Sequence, residues 1–330
     1  MDSTNIQVLF FQHIRTLVPP HVAMVDVIAD LLSISPDSVY RRIRGEKPVS
    51  LDEMQKLAGH FKISIDQFLH LQSDSFIFSG KLANGSNYLF EDWMKGVLQQ
   101  LQFMNSFRNR HMYYLAKDLP VMAQFIAPEL LAFKSFFWRK SILHYPELRG
   151  QKFSLKQIDH GHQEIGKKII DEYNKLPSTE IWNVESINST IRQIAFYKDA
   201  GAIESANDYD ALCKAVYRIL DHLERQAEHG VKFCLDEEPN TSAVSYNLFN
   251  NELILGDNTI VAELDNNKLT FLNHSVINFI GTTNEQFNNY MFGNLQNLIG
   301  KSTQLSKVGE KERVQFFNRI REKLNRGEVL

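Results

Sequence analysis

Arg41, Arg42, Arg44 and Lys47 place four cations within seven residues. Basic groups so closely spaced make a local positive field, and phosphate is an anion that such a field suits. The surroundings add nothing to it, because residues 1–72 hold 7 basic and 8 acidic side chains. A second group, Asp159-His160-Gly161-His162-Gln163-Glu164, offers imidazole and carboxylate donors of the kind metals accept. The stretch reads as helical, and helical residues two apart point about 200° from each other. His160 and His162 then cannot share an ion, so no metal site is expected.

Other chemistry is harder to find. The sequence contains no His-Glu-x-x-His, Cys-x-x-Cys, phosphate-binding Gly-rich loop or Gly-x-Ser-x-Gly. Ala58-Gly59 and Ala200-Gly201 bring to mind repressors that cut themselves at Ala-Gly with a Ser–Lys pair. No Gly-Asp-Ser-Met segment or β-rich peptidase region of adequate length follows, however. We therefore expect no catalytic residues and no cofactor. An enzyme within residues 88–330 is the least supported alternative.

Composition sets wider limits. The chain has 330 residues, 43% hydrophobic and 23% charged, with a formal charge of -3. That is globular composition, and it excludes global disorder and a uniformly basic coat protein. Cys213 and Cys234 are too few for a disulfide framework. No basic leader is evident and no apolar run reaches the roughly 18 residues of a membrane span, so a cytoplasmic protein with no membrane partner is expected.

The cationic cluster is flanked by strong helix punctuation. Val25–Leu32 reads as a helix with Ile28, Ala29 and Leu32 inward. A turn at Ser33-Ile34-Ser35 follows. Ser35 is a favoured N-cap, Pro36 suits the first helical position, and Gly45 ends the helix that runs from Pro36 to Arg44. Ser50-Leu51-Asp52-Glu53 and Ser64-Ile65-Asp66-Gln67 are capping boxes that open helices to Phe61 and Leu71.

Over residues 21–71 this order and spacing resemble the lambda-repressor/Cro-type (XRE-like) helix-turn-helix domain. The resemblance rests on Ile28-Ala29, Leu32, Ile34-Ser35, Ser38-Val39, Gly45, Pro48, Leu51, Leu57-Ala58, Phe61 and Ile63 to Leu69. It implies that the second helix lies in a DNA major groove and reads bases from its N-terminal end. Pro36, Asp37 and Ser38 would sit at that end, with Tyr40 and Arg41 following. Arg41 would contact guanine, Arg42, Arg44 and Lys47 would take phosphates, and the Ser35 N–H would add a phosphate donor. Double-stranded DNA and a homodimer on two half-sites are the implied partners. The family often has Gln where Val25 stands and Gly where Ser33 stands. The whole chain also looks like large bacterial regulators that place such a domain before a long helical region.

We read the chain as mainly α. A five-helix helix-turn-helix domain (1–72) and a linker (73–87) precede a central helical domain (88–231). A small α+β unit with an antiparallel β-meander (232–330) closes the chain. Within the linker, Phe76-Ile77-Phe78 is expected to dock on something. The central helices follow from Trp93, Val97, Leu101 and Met104, and from Leu212, Val216, Ile219 and Leu223. The meander is read at Val244–Phe249, Glu252–Leu255, Thr259–Leu264 and Lys268–Asn273, between Asn- and Gly-rich turns. Helices are then expected at Val276–Ile280, Asn284–Phe292 and roughly Lys307–Asn325.

The aromatics from Phe103 to Trp138 suit a helical core, a pocket for a small-molecule effector, or a dimer interface. Residues 236–300 carry eight acidic side chains against Lys268 alone, whereas residues 301–330 carry eight basic against four acidic. The terminal helix, with Val314, Phe317, Ile320 and Leu324 on one stripe, then either faces its cations to water or sits against the acidic segment. A second nucleic-acid contact is the remaining option. The main functional expectation is a sequence-specific transcriptional regulator whose later regions dimerise or sense an effector, small molecule or protein. A protein-interaction module that has lost DNA binding is the alternative.

Overall fold

The computed structural model describes residues 6–18, 23–61, 63–69, 76–80, 89–253 and 256–326. The expected helix end at Leu71, most of the linker and the strand end at Ile254-Leu255 lie outside the described residues. The chain forms two compact units, residues 1–77 and 78–330.

The first unit holds α1 (Ile6–Leu17), α2 (Met24–Leu32), α3 (Pro36–Ile43), α4 (Leu51–Phe61) and α5 (Ile65–Phe68). Phe10, Phe11 and Ile14 of α1 pack with Ile28, Leu32, Val39 and Leu57 in one core. Each such side chain contributes about 2–3 kcal/mol by leaving water, which is what holds helices this short.

The second unit is built on a seven-stranded mixed sheet. Its strands are β1 (Arg110–Leu115), β2 (Ser178–Trp182), β3 (Tyr246–Asn250), β4 (Thr259–Leu264), β5 (Asn267–Asn273), β6 (Phe279–Thr282) and β7 (Thr303–Gln304). The order is β6-β5-β4-β1-β2-β3-β7. β1, β2 and β3 are parallel neighbours, while β4, β5, β6 and β7 pair antiparallel. Parallel neighbours need crossovers. The first carries α7 (Pro128–Phe137) and α8 (His160–Tyr173), the second α9 (Asn188–Asp199) and α10 (Ala206–His229). α6 (Phe90–Asn105) precedes β1, α11 (Glu285–Gly300) precedes β7, and α12 (Glu310–Arg326) ends the unit.

Alternation along β1 assigns the two faces of the sheet. Met112 and Tyr114 join the large core with α6 to α10 and with Phe316, Phe317 and Ile320 of α12. Tyr113 and Leu115 face α11, where Leu115, Ile181 and Val261 meet Leu295.

Several expectations need correction. The second unit is not a helical domain followed by an α+β domain: β1 pairs along its length with β4, and β2 with β3, across the boundary expected at residue 231. β1 and β2 were not anticipated. β4-β5-β6 is a meander, but β3 lies on the far side of β1 and β2, so the whole is a mixed sheet. The expected helix at 276–280 runs instead into strand β6. Phe78, in the expected linker, docks edge-on to Phe287, and Ser79 exchanges two backbone hydrogen bonds with Gly281. On the terminal helix Val314 is exposed and Phe316 takes the core position. Its Arg321 pairs with Asp221 and Glu224 of α10, and among the described residues only Arg319 of this helix forms an ion pair with the acidic segment, at Glu252.

Candidate nucleic-acid interface

The helix-turn-helix is α2 and α3. Ser33 ends α2 in the left-handed region, with φ 55° and ψ 48°. The Ile34 N–H bonds the Ala29 carbonyl at 3.0 Å and the Ser33 N–H bonds Asp30 at 3.3 Å. This is a Schellman turn with serine where glycine is the usual choice. Ser35 then caps α3: its Oγ accepts from the Ser38 N–H at 3.3 Å, with Pro36 in the first turn. The Ser35 and Asp37 N–H groups have no acceptor among the described residues, so they stay available to an anion at the start of α3.

On α3 and its C-terminal cap Arg44, the side chains of Asp37, Tyr40, Arg41 and Arg44 are exposed, while Val39 and Arg42 are buried. The spacing 37, 40, 41 and 44 is one helical face. Tyr40 is 49% exposed, although aromatic. Pro36 is exposed beside this face, Ser38 is half-buried, and Lys47 is exposed just beyond the helix.

Arg42, expected on phosphate, is placed elsewhere. It is 4% exposed. Its Nε and Nη2 donate to Glu53 at 3.0 and 2.6 Å, and its Nη1 donates to the Ser38 carbonyl at 3.1 Å. Arg42 therefore ties α3 to α4 and presents no donor face to a duplex. Position i+3 from Val39 on a short helix puts it on the core side, where an arginine requires a carboxylate partner.

Glu53 does two things. Its Oε2 accepts from the Ser50 N–H at 3.1 Å, while Ser50 Oγ accepts from the Glu53 N–H at 3.2 Å. The expected capping box is thus also the anchor for Arg42. The Arg42 hydrogen bond, against a smaller opposing effect of burial, holds the Glu53 carboxyl below its usual range.

Two features were not read from the sequence. Gln7 of α1 donates to the carbonyls of Arg42 and Lys47 at 2.7 and 2.8 Å and accepts from the Val49 N–H at 2.9 Å. It fixes the turn that carries Lys47. Glu46 sits between two cations, bound to Arg44 at 2.6 and 3.1 Å and 4.0 Å from Arg41. Gln7 was hidden by distance, since it lies 42 residues from Val49 and nothing in a polar residue of an amphipathic helix names such a partner. Glu46 lies only two residues from Arg44, so its charge beside the arginines was the signal that could have found it.

The other expected residues lie in the second unit. His160 and His162 are in the first turn of α8, His160 exposed and His162 buried against Ser135. Among the described residues no group of three or more His, Cys, Asp or Glu could hold a metal.

Residues 15–82 match the family model of the BetR domain, a helix-turn-helix-like DNA-binding domain family. The match takes in α2 to α5 and stops at the start of the second unit. No curated protein and no solved structure matches the chain.

Proposed function

We propose that the chain is a sequence-specific DNA-binding transcription regulator that acts by binding and has no catalytic role. The observation that carries this reading is the exposed face of α3, with Tyr40, Arg41 and Arg44 together on a helix held by the Arg42–Glu53 pair. It lies inside the segment that matches a DNA-binding family. α3 enters the major groove, Arg41 contacts guanine, and Arg44 and Lys47 take phosphates. Asp37 accepts from cytosine, and the N–H groups at the start of α3 bind backbone phosphate. Two copies bind two half-sites about one helical turn apart. Residues 78–330 dimerise, sense an effector, or both. Among the described residues no helix is long and apolar enough to cross a membrane, which supports a cytoplasmic protein.

Selection of genomic fragments by the full chain, followed by salt titrations of wild type and Arg41→Ala, tests the proposal. The expected result is saturable, selective binding that weakens by about 1–3 kcal/mol in the variant and loses preference at one base pair. Binding that is weak for all sequences and indifferent to Arg41 would overturn it. That result would favour the second reading, a protein-interaction module. Its supporting observation is Glu46, which already engages the two exposed arginines.

A further inference from the structure

A cavity of about 320 Å³ opens between α7, the segment from Pro146 to Ile158, and the first turn of α8. It is the size of a small-molecule site. Phe136 and Phe153, both buried, form its apolar wall, and Arg139, Glu147, Asp159 and His162 line it as well. Ser135 and His162, 2% and 6% exposed, make its buried polar side and are joined Oγ to Nδ1 at 2.9 Å.

Arg139 reaches the cavity from an unusual backbone. α7 does not end regularly but passes into one π-helical turn, Trp138–Ile142. Such turns re-aim the side chains that follow and occur often at functional sites. The Arg139 Nε donates to the Ser135 carbonyl at 3.3 Å. Its two terminal nitrogens meet no protein acceptor among the described residues, which leaves a planar fork for a carboxylate.

The opposite charge is also present. Asp159 caps α8 through Oδ1, at 3.0 Å from the His162 N–H. Its Oδ2 lies 3.5 Å from His162 Nδ1. Glu147, exposed on the short turn Pro146–Leu148, has no ion pair among the described residues. Burial lowers the His162 pKa, so the imidazole is neutral at pH 7. The wall therefore carries one cation and two carboxylates. A dicarboxylate would face repulsion from both acids. A simple amine would leave Arg139 unpaired. A zwitterion satisfies both signs.

We propose that this cavity binds a free α-amino acid with an apolar side chain, its carboxylate on Arg139, its ammonium on Asp159 and Glu147, and its side chain on Phe136 and Phe153. A hydrolytic Ser–His–Asp arrangement of the same residues does not fit. Ser135 and Asp159 both address Nδ1, whereas that chemistry requires the two ring nitrogens to be divided between them. The site lies wholly within the second unit and does not depend on DNA binding.

Calorimetric titration of the full chain with L-leucine, L-methionine and L-phenylalanine tests it. 4-Methylpentanoate and 3-methylbutylamine serve as half-ligands, since each keeps the leucine side chain and lacks one charge. Saturable one-to-one binding of at least one amino acid is expected, with leucine at least about tenfold tighter than both half-ligands if it is the one bound. Arg139→Gln, which removes the fork, and Ala132→Leu, which fills the cavity, should each weaken binding by a similar factor. No saturable binding by any of the three amino acids would overturn the proposal. So would a half-ligand that binds as tightly as its amino acid, or unchanged affinity in Arg139→Gln. The half-ligand comparison uses wild-type protein and stands even where a variant fails to fold.

Discussion

Arg42 of α3 and Glu53 of α4 form a two-pronged ion pair, Nη2 to Oε1 at 2.6 Å and Nε to Oε2 at 3.0 Å. Arg42 is 4% exposed, so removing Glu53 leaves a buried charge without its counterion. Glu53→Ala should destabilise the first unit by about 3 kcal/mol. Denaturant unfolding followed by a probe confined to that unit would measure it, and a change near zero would show the pair to be incidental.

The same pair gives the first unit a pH dependence. Glu53 titrates below its unfolded value in the folded state. Its contribution is therefore complete above the ordinary glutamate pKa and is lost as pH falls through the lower folded value. Wild type and Glu53→Gln should differ least at the lowest pH and most near neutrality, as urea midpoints across the acid range would show.

Arg41 and Glu46 should have opposite effects on DNA. Arg41→Ala removes a contact, whereas Glu46→Gln releases Arg44 from its hydrogen-bonded partner. Glu46→Gln is expected to tighten binding several-fold at low salt and to steepen the plot of log affinity against log salt by about one. Fluorescence anisotropy over a salt series reads both. If Glu46→Gln weakened binding, Glu46 would be orienting the arginines instead of competing for them.

Ser33 holds a left-handed conformation that costs a residue with a Cβ about 1 kcal/mol. Ser33→Gly removes that strain at some cost in unfolded-state entropy. A net stabilisation of about 0.5 kcal/mol, or a few degrees in the melting temperature of the first unit, is expected. A lower melting temperature would mean that the Ser33 side chain contributes more than its backbone costs.

The second unit should be labile to acid for a different reason. His222 is 4% exposed, and burial holds its pKa down to about 4 from 6.5. The folded state therefore binds fewer protons than the unfolded chain, and stability falls as pH drops from 6.5 towards 4. The loss is at most about 3 kcal/mol. His222→Gln should flatten the unfolding profile of this unit over that window.

How much could be read from the sequence depended on where the signal was local. The α2–α3 turn, the Ser35 cap and the Ser50–Glu53 box are each written in a short run of neighbouring residues, and each is found in the structure. Arg42 was misassigned because a cation on a predicted surface helix looks the same whether it faces phosphate or a carboxylate eleven residues on. β2 gave no strand signal because it is buried on both faces, so its side chains do not alternate. Its central residue, Glu180, is a carboxylate that accepts from Tyr173, Trp182 and Tyr246 deep in the core. β1 opens with Arg110 and His111 for similar reasons of local satisfaction. The domain boundary failed because helix and strand segments were sorted by type, while pairing between β1 and β4 joins residues about 150 apart.

That pairing has a consequence for how the protein is made. β1 is flanked by β2 on one side and by β4 on the other, and β4 is synthesised long after β1 has left the ribosome. Until then β1 keeps an open hydrogen-bonding edge, and the aromatic helices of the core lack the sheet they close on. The first unit, whose helices meet near neighbours, can fold during synthesis, but the second is a slow, late folder of high contact order. A chain cut at residue 231 would therefore yield a sheet with an exposed edge, prone to aggregation, instead of a free helical domain.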